Sequence, residues 1–407
     1  MILLKLAWRN IFRNTRRTIL SGIAIGIGLA VMIFGDAFMT GINESMIRTS
    51  TDTFAGQGQI HARGFRDTLE VEKTVNNLQW VEDGLKKEER IQAFSLRTES
   101  FAMLASAANV ASIMLYGIDP AQERDISKID EAITEGRYLG GSNTQQILIG
   151  SKTAEVLEVG VGDRVVVTVA QAGTGDLSQE MLRVSGIFRF GIQELDSAVA
   201  FIGLKKSQEI LGLGQGVHEI ALRFHNLEDA GNRSLGFWNK YSRYGNEAIG
   251  WKDIMPQMEA VLEMSTLSKV ITATIIFGIV GLTIMNTLFM SLYERMFEFG
   301  VLRAIGTRPL RMALMILLEG GCLAIISIII GSATGFFFSW LFSVYGIDYR
   351  GIEFAGTTIN ELIYPVMNVR QYLLNPLYVF FFTLVAALYP AYYAARLTPA
   401  KAMKRSF

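Results

Sequence analysis

Half of the 407 residues are apolar, only 19% are charged and mean hydropathy is +0.30. These values argue against an ordinary soluble enzyme and for a membrane protein carrying a substantial soluble part. Lysine plus arginine balance aspartate plus glutamate at 38 each, so net charge gives no reason to expect nucleic acid. With one cysteine, Cys322, no intrachain disulfide or cysteine metal site forms, and His61, His218 and His225 lack zinc-binding spacing.

The opening MILLKLAWRNIFRN places Lys5, Arg9 and Arg13 four residues apart, with Leu3, Leu6, Trp8, Ile11 and Phe12 elsewhere around the helix. That pattern suits a cytoplasmic elbow helix over residues 1–17 in the inner-leaflet interface, the alternative being a continuous extension of the next segment. Residues 18–41 form the first transmembrane span. Their apolar core is too long for a cleaved signal peptide and no small-residue cleavage site follows, so the segment is expected to stay as an anchor.

Residues 42–266 read as a mixed α and β domain. QILIGSKTAEVLEVGVGDRVVVTVAQAGTGDLSQEMLRVSGIF predicts a strand, a helix from Lys152 to Leu157 ended near Gly160, a turn at Gly162 and Asp163, and a hairpin around Gly173 and Gly175. LEDAGNRSLGFWNKY reads as one helix after the strand HEIALRF. Pro256 opens a helix in which Met258, Val261, Leu262 and Ser265 recur at helical spacing and run into the second span. GINESMIRTS extends the first span toward it. The pair reads as stalks, for transmitting motion or for simple packing.

Three more spans follow, at 267–292, 312–342 and 376–395. Between them lie a short loop at 293–311 with Arg295, Arg303, Arg308 and Arg311, and a second loop at 343–375; the tail 396–407 carries Arg396, Lys401, Lys404 and Arg405. Lys5, Arg9, Arg13, Arg16 and Arg17 precede the first span. All three basic segments fall on one side, which the positive-inside rule makes cytoplasmic; both termini are then inside. The fold class expected is an α+β membrane protein, four transmembrane helices with a large mixed α/β extracytoplasmic domain inserted between the first and second.

No phosphate-binding loop, dinucleotide fingerprint, nucleophile elbow or zinc-protease motif occurs; GSKT at Gly150 lacks the preceding glycine and the Gly-Lys step. Catalysis is not expected. Ionisable residues inside the spans are few: Asp36 lies near the outer end of the first, and Glu319 about two turns into the third, where it needs a partner or a hydrated crevice. A structural hydrogen-bonding role and a coupling role are both open for Glu319. Gly22 with Gly26, and Gly331 with Gly335, permit close helix approach within a bundle or across a dimer.

In SLYERMFEFGVLRAIGTRPLRM, Glu294 and Glu298 stand one turn apart, Phe297, Val301 and Ile305 recur every four residues, and Gly306 and Pro309 stop the helix. A short helix with an apolar side, held between two spans, suits a groove on a partner. YERMFEFGVLRAIGTRPLRMALMILLEG resembles the signature of the FtsX-like permeases of ABC transporters, the group that includes macrolide-efflux and lipoprotein-releasing permeases. The likeness runs over nearly the whole chain: LAWRNIFRNTRRTILS at the start, EGRYL, ILIGSKTAEVLEVGVGDRVVV and GIFRFGIQELDSAVAFI in the outer domain, and YPAYYAARLTPAKAMK at the end.

That resemblance implies a coupling helix docking on a separate ATPase, with Glu294, Arg295, Glu298 and Arg303 as polar contacts. It implies two ATPase copies, which hold ATP and Mg while this chain carries no cofactor, and a second permease subunit, identical or homologous. The lipoprotein-releasing subgroup fits best, because no ATPase is fused to the chain and the outer domain is larger than in the cell-division member. An acylated lipoprotein would leave the outer leaflet for a periplasmic carrier. An apolar cleft is then expected from Val31, Met32, Phe34, Met39, Met264 and Leu267, methionine being adaptable against variable chains, although each of these also suits contact with membrane lipid. Efflux of a peptide or drug, and regulation or sensing through a periplasmic partner, are the alternatives.

Overall fold

The computed structural model describes residues 2–142, 144–349, 353–354, 357–358 and 362–398. The basic tail residues Lys401, Lys404 and Arg405 lie outside them. The chain divides into two compact units. Met1–Ser45, Leu262–Tyr349 and Glu361–Phe407 make one, Met46–Val261 with Arg350–Asn360 the other.

The first unit is helical. A helix α1 (Ile2–Ile11) is followed by a 3-10 turn at Phe12–Asn14 and then by α2 (Thr15–Ser50). Next come α3 (Pro256–Glu294), α4 (Met296–Ala304), α5 (Pro309–Tyr345) and α6 (Val369–Ala395). Among the described residues, α2, α3, α5 and α6 are the helices long and apolar enough to cross a membrane. Local chemistry sets their starts: Pro309 occupies the first turn of α5, and Asn368 with Gln371 forms a capping box on α6. Their packed faces follow the helical repeat. Ile25, Leu29 and Ile33 of α2 meet Val280, Ile284, Leu288 and Leu292 of α3 and the buried side of α5 in one core.

The approach of α2 to α5 depends on glycine. A Cβ on Gly331 would lie 2.5 Å from the Gly26 carbonyl oxygen, and one on Gly335 would press on Ile33 and Ala30. The small-residue pairs are therefore used inside this chain's own bundle.

The second unit contains a ten-stranded mixed sheet. Its strands are β1 (Gly58–Ala62), β2 (Ile91–Ala105), β3 (Val110–Ile118), β4 (Ile133–Gly136), β5 (Gln146–Gly150), β6 (Arg164–Ala170), β7 (Leu177–Phe188), β8 (Val199–Gly203), β9 (Glu219–Phe224) and β10 (Asn246–Gly250). They run in the order β10-β1-β9-β2-β3-β8-β5-β7-β4, with β6 pairing both β2 and β7. Two pairs, β3 with β8 and β5 with β7, are parallel. Alternation decides the faces: Val165, Val167 and Val169 of β6 point into the core while their neighbours face outward.

The helix expected from Lys152 to Leu157 is Ser151–Leu157, and it is closed by Glu158 at φ 53° rather than by Gly160. The single helix expected over LEDAGNRSLGFWNKY is instead two short ones, Leu227–Ala230 and Gly236–Tyr241. Asn232 breaks the run, its side chain accepting from Ser234 N and its carbonyl from Trp238 Nε1. Such local bonds offer the backbone an alternative to the helix ladder.

A buried charge cluster organises this unit's interior. The fully buried Arg97 guanidinium donates to Glu123 at 2.5 and 3.1 Å, to Glu219 at 2.8 Å and to the Phe54 carbonyl at 2.7 Å. It also sits 4.1 Å over the Phe54 ring. Phe54 belongs to a π-helical turn, Thr51–Ala55, that follows α2, so this arginine holds an irregular piece of backbone in place.

Candidate functional site

Two places in the helical unit gather the residues marked in the sequence. The first surrounds α4. Arg295, 8% exposed, donates to Glu319 of α5 at 2.6 Å and to Glu298 at 3.0 Å. Asn10 of α1 donates to the same Glu319 oxygen at 2.9 Å, Arg13 pairs with Glu298, and Arg17 with Glu294 at 2.7 Å. Glu319, 2% exposed, thus has two partners that neutralise and hydrogen-bond it, which is what a buried carboxylate requires. Burial raises the Glu298 carboxyl, but hydrogen bonds from Arg13 and Arg295 and their charges outweigh it and hold the group below the usual carboxylate range. Arg303 donates to the carbonyls of Thr307 at 3.2 Å and Leu397 at 3.4 Å.

All four predicted coupling residues therefore sit at this end of the unit and are engaged within the chain. What α4 turns outward is apolar: Phe297, Val301, Leu302 and, just beyond, Ile305 at 77% exposure, followed by Leu310. Sequence reading missed Asn10, Arg13 and Arg17 as partners of the loop. Their signal was present, since a basic stretch without acids beside the first span has to find counter-charges somewhere.

The second place is a cleft of about 270 Å³ between α2, α3 and the start of α6. Val31, Met32, Gly35, Asp36 and Met39 line one side, Ser268, Lys269, Thr272, Ala273 and Ile276 the other, with Asn375 closing it. Asp36 and Lys269 form an ion pair of 3.1 Å inside it. Val31, Met32 and Met39 among the predicted cleft residues are brought together here. Phe34 instead stacks on Phe38 and tilts against Phe342, while Met264 and Leu267 lie exposed on α3. Lys269 and Asn375 were not foreseen, although Lys269 stands at the edge of the second apolar segment, where a charge needs a partner.

Long apolar helices joined by a short basic loop, with a large mixed domain inserted after the first, define a multi-pass membrane protein. Residues 18–231 match the MacB-like periplasmic core domain, and residues 270–399 the FtsX-like permease C-terminal domain. The chain belongs to this FtsX- and MacB-type family of ABC transporter permeases, whose architecture implies an ATPase partner and a second permease subunit. It is similar over nearly its whole length to the lipoprotein-releasing system transmembrane protein LolC of Xylella fastidiosa (strain Temecula1 / ATCC 700964), 22% identical with 94% of this chain and 92% of that protein covered. The corresponding protein LolE of Haemophilus influenzae is also 22% identical, over 94% and 93%. Among solved structures, the periplasmic region of MacB from Actinobacillus actinomycetemcomitans is similar at 14% identity and a TM-score of 0.35, covering 50% of this chain and 92% of that one.

Proposed function

We propose that this chain is the permease subunit of an inner-membrane ABC transporter that releases lipoproteins from the outer leaflet to a periplasmic carrier. Energy comes from a separate ATPase holding ATP and Mg. The observation that carries this reading is the cleft at Val31, Met32 and Met39, an apolar recess of the kind an acyl chain needs. The similarity to LolC and LolE supports the same cargo class. The basic segments support cytoplasmic termini and a cytoplasmic position for α4. There the exposed apolar side of α4, with Ile305 and Leu310, fits a partner groove, while Glu294, Arg295, Glu298 and Arg303 hold the helix at its angle.

The test is reconstitution with the ATPase and second permease in proteoliposomes containing a lipoprotein. ATP and a soluble carrier together should move that lipoprotein into the aqueous fraction, and Met32→Asp should abolish the transfer while leaving assembly intact. ATP hydrolysis without any release would refute the reading.

A further inference from the structure

The cleft holds more polarity than an acyl chain needs. Asp36 and Lys269 face each other at 3.1 Å within its lining. Asn375, at the other side, has a buried side-chain Nδ2 with no hydrogen-bond partner among the described residues. A buried donor left unpaired is costly, and a ligand that brings a carbonyl oxygen removes that cost. Val31, Met32, Ala273 and Ile276 provide the apolar wall beside it.

We propose that this cleft reads the linkage region of a lipid anchor: it takes an acyl chain joined through an uncharged ester or amide and rejects lipids bearing a phosphate next to the chains. This rests on the lipoprotein-release reading. Asn375 supplies a donor for a neutral carbonyl. The Asp36–Lys269 pair supplies the discrimination, because the ammonium is already neutralised and offers no net charge to a phosphodiester. A phosphate reaching Lys269 would lie against the Asp36 carboxylate, or would have to displace it and leave that carboxylate partly buried and alone. Such a repulsive element is what specificity requires where the competing phospholipid is the solvent itself. At about 270 Å³ the recess is at the small end for ligand sites, so it suits one chain and its linkage rather than a whole anchor.

The experiment is a competition on the purified full chain in detergent, read by native mass spectrometry. The probes are a tripalmitoylated cysteinyl peptide with an uncharged sequence and dipalmitoyl phosphatidylglycerol. The wild type should retain the lipopeptide over the phospholipid by tenfold or more. Asp36→Asn, which frees the ammonium, should lower that ratio at least tenfold, whereas Lys269→Met should not lower it. Asn375→Leu should weaken both lipids about threefold to tenfold and leave the ratio unchanged, since both carry ester carbonyls. A ratio unmoved by Asp36→Asn, or a wild type that prefers the phospholipid, overturns this proposal alone. A wild type that binds no lipopeptide removes the lipoprotein reading as well.

Discussion

The Arg295 guanidinium meets the Glu319 carboxylate at 2.6 Å with both side chains almost wholly buried, tying the helix after the second span to the third span. Removing either partner alone strands a buried charge, a loss of about 3–5 kcal/mol, whereas removing both together can be nearly neutral. Arg295→Met and Glu319→Leu should each lower the thermal midpoint of the detergent-purified chain, and the double variant should recover most of the loss. Additive single effects would show that the two charges do not depend on each other.

Docking by the apolar side of α4 makes a prediction separable from the ion pairs. Ile305→Asp alters a side chain that is 77% exposed and should leave the stability of the chain unchanged while lowering ATPase association at least tenfold. Glu298→Lys faces Arg13 and Arg295 and should act differently, lowering stability together with association. Pull-down with the ATPase and a melting curve on each variant decide between them. Full association by Ile305→Asp would place the contact elsewhere.

Close approach of α2 and α5 at Gly26 and Gly331 leaves no room for a methyl group. Gly331→Leu should destabilise the bundle by about 1–3 kcal/mol or more through overpacking, and Gly278→Leu, where nothing lies within 4 Å, should not. Equal melting behaviour of the two variants would contradict the packing.

Acid–base behaviour of the strand-bearing domain is expected to centre on Glu99. Burial pushes its carboxyl up to about 7, with Glu219 adding to the rise and the hydrogen bond from the Tyr116 hydroxyl, 2.9 Å, together with Arg66 and Arg97, opposing it. An unfolded glutamate titrates near 4.3. Between roughly pH 4.5 and 7 the folded chain therefore keeps a proton that the unfolded chain has released, and stability falls as pH rises through that window. Glu99→Gln should be more stable than wild type at pH 8, by on the order of 1–3 kcal/mol, and should lose nearly all of that advantage at pH 4. Thermal melts at the two pH values measure this; a constant offset would remove Glu99 as the titrating group.

Orientation is open to a direct test. A cysteine placed at Gly175, in the turn between β6 and β7, should react with an impermeant reagent added outside the cell, and one at Thr307 should not. The reverse labelling would invert the topology.

Much of this protein was determined by the sequence alone, because its main signals are local. Apolar length marks the helices from Thr18 onward, Pro309 and Gly306 bound the loop helix, and valine alternation marks β6. What needed the tertiary structure is pairing between segments far apart in the chain. Periodicity places Glu298 on a polar side of α4 without saying that Arg13 fills the space opposite, and it gives Gly26 no preference between a partner subunit and Gly331. Asp36 and Lys269 are 233 residues apart, yet they share one cleft with Asn375. A charge or an unpaired amide in a span announces only that a partner is needed. Which partner it finds is decided when the helices pack, since burial and distance set the energy of each pair.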